Sequence, residues 1–241
     1  MEVTECENCG GLVVFDADAA AARCVFCGGV SQTTKTLQEA TQPTRAVVFT
    51  VSAEDAHRLY CAWARRSIWA PRSLPDNVEA LERVWIPAWH VRARVHATWT
   101  GLVSARTKSG KRPKAGVDVA DRDVWVPGSL GLSQAELSAL ASFEGEQVEW
   151  QPEHAEAPYE VGGLSSQTAI SEARRQLQAL VRRLLRQTEG LEDPRVSLLL
   201  DDVVAVPRML PVWVGCFRFR DRPWRFVING QSGRTTGRAP V

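Results

Sequence analysis

Two short segments, Cys6-Glu7-Asn8-Cys9-Gly10-Gly11 and Cys24-Val25-Phe26-Cys27-Gly28-Gly29, repeat one pattern with fourteen residues between their cysteine pairs. In each copy two thiols flank a two-residue step, which lets both sulfurs reach one metal ion at about 2.3 Å with tetrahedral angles. The paired glycines stand where the chain turns away with positive φ, a conformation that side chains resist. Between the copies, Leu12-Val13-Val14-Phe15 and Ala20-Ala21-Ala22-Arg23 read as short strands around a turn at Asp16-Ala17-Asp18. Residues 1–30 are therefore expected to form a zinc ribbon around one structural Zn2+ held by Cys6, Cys9, Cys24 and Cys27. A catalytic zinc keeps one coordination position for water, whereas four cysteines close the shell. Disulfides would need an oxidising compartment, and the first residues carry no apolar stretch of the signal-peptide kind. A segment of about thirty residues buries too little apolar surface to fold alone, so the metal supplies much of its folding free energy.

The chain of 241 residues is 44% hydrophobic and 24% charged, which suits an ordinary soluble protein with a large core beyond the ribbon. No run of residues has the length of a membrane span. Residues 31–46 are expected to be a linker, from the Thr/Gln content after Ser31 and from Pro43, and 47–241 an α+β domain. Ser52 caps a predicted helix with Ala56, Leu59, Tyr60 and Trp63 on one face. From Val84 to Val103 apolar and polar residues alternate, which predicts a long half-buried strand or a bent pair. Ser133 to Glu136 has capping-box form and opens a short helix. Ser165 or Ser166 opens a longer one that ends at Gly190, with an apolar stripe of Ile170, Ala173, Leu177, Leu180, Val181, Leu184 and Leu185 and an arginine-rich opposite face. Strands are predicted at 196–200, 203–206, 211–220 and 224–228, the last two as a hairpin. The fold class is thus α+β, a zinc ribbon followed by antiparallel β with two or three packed helices. A sparse echo between Pro87-Ala88-Trp89 and Pro211-Val212-Trp213 suggests two related β units. Most tryptophans lie in strand-like patterns as packing anchors, and Cys61 and Cys216 lie in apolar stretches as core residues.

A net charge of +1 conceals segregation. Residues 124–173 hold eight glutamates and no Lys or Arg, which reads as a solvated acidic face. Residues 90–117 carry Arg92, Arg94, Arg106, Lys108, Lys111, Arg112 and Lys114 with no acid, and 207–241 carry seven Arg against Asp221. With its thiolates ionised around Zn2+, the N-terminal segment is acidic and a poor phosphate ligand.

These residues resemble a family of bacterial proteins called TFIIB-type zinc-ribbon-containing proteins, often mislabelled primosomal-helicase-like. The resemblance runs over nearly the whole chain: two Cys-x-x-Cys-Gly knuckles, Phe49-Thr50 leading to Ile68-Trp69-Ala70-Pro71, then Trp85-Ile86-Pro87-Ala88-Trp89. It ends with Leu210-Pro211-Val212-Trp213, an Asn229-Gly230-Gln231-Ser232-Gly233 turn, and Gly237-Arg238-Ala239-Pro240. Members commonly continue past this proline into membrane-spanning helices, whereas the present sequence stops at Val241, as a soluble member or a piece of a longer chain would, and residues 149–163 are more acidic and less aromatic than the family pattern. The resemblance implies an adaptor, in some members of a membrane-stress complex, and carries over no catalytic residue.

No Gly-x-Ser-x-Gly, His-Glu-x-x-His or phosphate-loop motif is present, and His57, His90, His96 and His154 are scattered. The expectation is a non-enzymatic adaptor or scaffold without a small-molecule substrate, binding protein partners through opposed acidic and basic surfaces. It would be cytoplasmic or peripheral at the inner membrane face. Arg106, Lys108, Lys111, Arg112 and Lys114, at a hairpin tip, are the candidate partner-binding residues. The same cations could meet an anionic membrane surface. The alternative is nucleic-acid binding through residues 106–114 and the Arg-rich C-terminal strands.

Overall fold

The computed structural model describes residues 2–14, 23–36, 43–65, 81–104, 110–140, 143–144, 146–220 and 222–237. The chain divides into two compact units, one comprising 1–88, 127–163 and 207–241, the other 89–126 and 164–206. The expected turn at Asp16–Asp18, the Ile68–Pro71 motif, Arg106 and Lys108 lie outside the described residues.

In the first unit, β1 (Glu2–Cys6) pairs antiparallel with β2 (Leu12–Val14) and with β3 (Gln32–Thr36). The segment expected to be linker therefore contributes a strand. Its polar side chains face outward while its backbone completes the β1 ladder, and a single-sided edge needs no apolar residue to do this. The same segment also holds the start of β4 (Arg45–Val47), which pairs with β7 (Gln147–Glu149). Helix α1 (Ala53–Ala64) opens at Ser52, whose hydroxyl accepts from the Asp55 N–H at 3.1 Å. It lays Ala56, Tyr60 and Ala64 on the hairpin made by the C-terminal part of β9 (Glu192–Phe219) and β10 (Arg222–Asn229), against Trp213, Phe217 and Phe226. Phe49 stands edge-on to Trp85 at 4.8 Å and to Trp213 at 5.9 Å, so these residues of the family pattern are packing anchors. Asn229 is wholly buried: its Nδ2 donates to the Leu140 carbonyl at 3.0 Å and its Oδ1 accepts from the N–H groups of Gln231 and Ser232. That one side chain ties the C-terminal turn, followed by β11 (Thr235–Gly237), to the end of α2 (Gln134–Leu140).

In the second unit, the central strand is the part of β5 (Leu81–Ser104) from Trp89 onward, flanked by β6 (Lys111–Pro127) up to Val126 and by the N-terminal part of β9. Ala93, Val95, Ala97 and Trp99 of β5 point to one face, under α3 (Ser166–Thr188), whose Ala169, Ala173, Leu177, Val181 and Leu185 are buried on it. The predicted strands 196–200 and 203–206 and the first half of the hairpin prove to be one strand. Asp202 takes φ +51°, a bulge that shifts the helix-facing set from Val196 and Leu200 to Val203 and Ala205 without ending the strand. The open face carries Arg92 and Arg94, with His90 at 2.7 Å from Asp123 and stacked on Trp125, and His96 at 3.1 Å from Asp201.

Candidate metal centre

Both knuckles fold the same way because they have the same sequence pattern. Gly10 N–H donates to the Cys6 carbonyl and Gly28 N–H to the Cys24 carbonyl, each at 2.8 Å, while Cys6 and Cys24 N–H donate to Gly11 and Gly29. Gly10 and Gly28 take φ of +77° and +68°, the left-handed turn that lets each chain leave after its second cysteine. The four sulfurs of Cys6, Cys9, Cys24 and Cys27 lie within 4.8 Å of one another, with Cys6–Cys27 at 3.6 Å and Cys9–Cys24 at 3.7 Å. A tetrahedral ion with sulfur at about 2.3 Å needs sulfur–sulfur edges of about 3.8 Å, so the residues fit a four-sulfur metal site. All six cysteines are free thiols.

Electrostatics point the same way. The Cys9 thiol hydrogen-bonded to Cys24 lowers Cys24 to about 5 and raises Cys9, and burial raises Cys6. Four sulfurs this close ionise together only with a cation among them. Asn8 Nδ2 donates to Cys27 Sγ at 3.5 Å. Cys216, expected as a core thiol, is half-buried outside the ligand set: its Sγ donates to the Val25 carbonyl at 3.8 Å, and burial pushes it up to about 12. Cys61 packs partly buried beside α1's core with its sulfur 3.8 Å from His57 Nδ1.

Arg225 on β10 fastens the second knuckle to its surroundings. Its Nη1 donates to the Phe26 carbonyl at 2.9 Å and to the Gly131 carbonyl at 2.6 Å, and its Nε donates to Glu136 Oε1 at 2.7 Å, with Nη2 on the other oxygen. Burial alone would raise Glu136, but the Arg225 and Ser133 hydrogen bonds outweigh it and hold the carboxyl below its ordinary range. The Ser133 capping box is present, with Ser133 N–H on Glu136 Oε2 at 2.8 Å, so this glutamate caps α2 and pairs with Arg225 at once. Beside the knuckles a cleft of about 690 Å3 is bordered by Cys9, Cys27, Phe26, Glu136, Trp224 and Arg225.

Of the expected solvated acidic face, Glu144, Glu146, Glu149, Glu153 and Glu156 are exposed, while Glu136 and Glu160 depart from it. Glu136 sits in a mostly buried ion pair, and Glu160 on β8 (Tyr159–Glu160) is 1% exposed. Glu160 Oε1 accepts from the N–H groups of Leu130 and Gly131, both at 2.8 Å, donors that a charge census cannot reveal. Burial nevertheless dominates and lifts its carboxyl to about 7. Folded Glu160 thus holds a proton that the unfolded chain, with a glutamate near 4.3, has already released. The resulting stability is complete below about pH 4.3 and is lost as pH rises through about 7. With metal kept saturating, unfolding free energy is expected to fall by about 1 kcal/mol between pH 6 and 8, and Glu160→Gln to flatten that slope in denaturant titrations.

Gly131 stands against the Phe26 ring, where a Cβ would lie 2.2 Å from Cδ2. Its own N–H and C=O are both used, by Glu160 and Arg225, so the loop has no freedom to retreat. Gly131→Ala is expected to cost about 1–3 kcal/mol, measured by urea unfolding, through overpacking onto the second knuckle.

Of the candidate partner-binding cations, Lys111, Arg112 and Lys114 open β6 and are exposed. Lys111 pairs with Glu192 at 2.5 Å and Lys114 with Glu189, while Arg112 makes no ion pair among the described residues. Arg225 and Gly131 were not legible as site residues, because each meets Phe26 of the second knuckle from roughly a hundred or more positions away, and Glu160 was not, because its partners are the backbone N–H groups of Leu130 and Gly131. No family model, curated protein or solved structure matches this chain.

Proposed function

We propose that the chain is a non-enzymatic adaptor built around one structural zinc ion, in the manner of the TFIIB-type zinc-ribbon proteins it resembles. The observation that carries this reading is the closed four-sulfur set with the second knuckle fastened by Arg225. Thiolate ligands in a tetrahedron suit Zn2+, and a shell without a free position leaves the metal architecture as its task. Beside the metal, the nearby polar groups are spent on each other: Glu136 accepts from Arg225 and Ser133, and Arg225 donates to two carbonyls besides. Such a unit presents surfaces to protein partners instead of performing chemistry.

The adaptor acts on the cytoplasmic side, with an anionic membrane face as a further contact for the exposed cations of β6. Among the described residues no helix is long and apolar enough to cross a membrane. The test joins two measurements on the zinc-loaded chain: partner capture from the native cell, and binding to DNA, RNA and anionic vesicles across a salt series. Protein partners lost with Cys24→Ser support the adaptor. Tight duplex or single-strand binding with a steep salt slope would replace it with the nucleic-acid reading.

A further inference from the structure

Strand β6 pairs with β5 and, among the described residues, with no other strand, so one side of its backbone from Lys111 onward is open. Gly116 places its Cβ position 2.5 Å from the Trp99 ring, which lies under α3. Even-numbered residues of β6 therefore face the helix and odd-numbered ones the open sheet face. On that face Val117 and Val119 are 69% and 48% exposed, although aliphatic side chains on an unpaired edge invite pairing with another chain.

The charges along this edge are ordered. Lys111, Arg112 and Lys114 precede Val117, and Asp118, Asp121 and Asp123 follow Val119 or flank it, interrupted only by Arg122. A strand that is basic in its first half and acidic in its second complements itself only when antiparallel. A twofold axis through Gly116, perpendicular to the sheet, sets Lys111 opposite Asp121 and Lys114 opposite Asp118, each twice. It sets Arg112 opposite Ala120, so no like charges face each other. Odd residues stay opposite odd ones, and the valines of both copies form one apolar strip on the open face. Moving the axis to Val117 opposes Arg112 to Arg122, moving it to Ala115 leaves Lys111 opposite Val119 and Lys114 opposite Gly116, and moving it to Asp118 or to Lys114 opposes that residue to itself.

We propose that a second copy of this chain occupies the β6 edge, giving a twofold dimer by antiparallel β6–β6 pairing. The existing Lys111–Glu192, Lys114–Glu189 and Asp118–Arg122 pairs do not oppose this, because partly exposed pairs are weak and their members can exchange partners, while Asp121 makes no ion pair among the described residues. The inference is independent of the adaptor reading and of the metal.

Sedimentation equilibrium of the full zinc-loaded chain, up to roughly 100 μM, should show a concentration-dependent monomer–dimer equilibrium. K111D/K114D and D118K/D121K should each weaken self-association by about tenfold or more, since all opposed charges become alike. Mixed together, the two variants should form a heterodimer, because every pair is then complementary again. V117K, which brings two cations close across the seam, should also be monomeric, and circular dichroism confirms that each variant is folded. A wild-type chain that stays monomeric, folded variants that dimerise as wild type does, or a mixture without heterodimer each overturns the proposal.

Discussion

Cys24→Ser is expected to reduce bound metal from one ion per chain to nearly none and to release the N-terminal strands from the fold. Structural sites of this kind bind zinc with about 10–16 kcal/mol of apparent free energy, and that energy is folding energy for the segment they close. Here the segment is small: β1, β2, β3 and the two knuckles bury few large side chains besides Val3, Val13 and Phe26. Without the ion, four close sulfurs remain with the shared-proton arrangement that raises Cys9 and lowers Cys24, and they cannot hold the two knuckles together as ligands do. Hydrogen exchange should therefore become fast at Cys6, Gly10, Cys24 and Gly28, whose N–H groups close the knuckle turns. Amides of the β9–β10 hairpin, supported by Tyr60, Trp213, Phe217 and Phe226, should stay protected. Cys216→Ser is the control. Its sulfur lies outside the ligand set, so metal content should not change.

Arg225→Met is expected to destabilise the chain by about 3–5 kcal/mol in urea unfolding, because it strands a mostly buried carboxylate. Three partners lose their donor at once: Glu136 and the carbonyls of Phe26 and Gly131. The side chains of Arg225 and Glu136 are only 19% and 15% exposed, so water replaces little of what is lost. The double variant R225M/E136M removes the orphaned charge and should recover part of the loss, although the two carbonyls remain without their donor. If the single variant instead unfolds at wild-type denaturant concentrations, Arg225 does not fasten the second knuckle to β10 and α2.

Local chemistry made much of this legible. The cysteine spacing singled out the four residues whose sulfurs cluster, and Ser52, Ser133 and the Ser165-Ser166 pair marked helix starts, since Ser52, Ser133 and Ser165 each place an oxygen over the first turn. Alternation in β5 and the apolar stripe of α3 showed which faces would meet. What was hidden depends on distant partners. Gln32–Thr36 looked like a linker because an outer strand can draw its stability from backbone pairing with β1 alone. Asp201-Asp202 looked like a break because acids usually end strands, yet Asp202 adopts a left-handed bulge and the strand continues. Glu160 and Glu136 looked solvated because composition cannot count the backbone N–H groups or the arginine that receive them.

The proposed metal site is one ion bound by four sulfurs and by nothing else. X-ray absorption at the zinc K-edge on the chain purified without chelators measures this directly, together with metal content. The expected result is one zinc per chain with four sulfur neighbours at about 2.3 Å and no oxygen or nitrogen in the shell. A shell containing oxygen or nitrogen, sulfurs joined to one another as disulfides, or a chain that folds fully with no metal would contradict it.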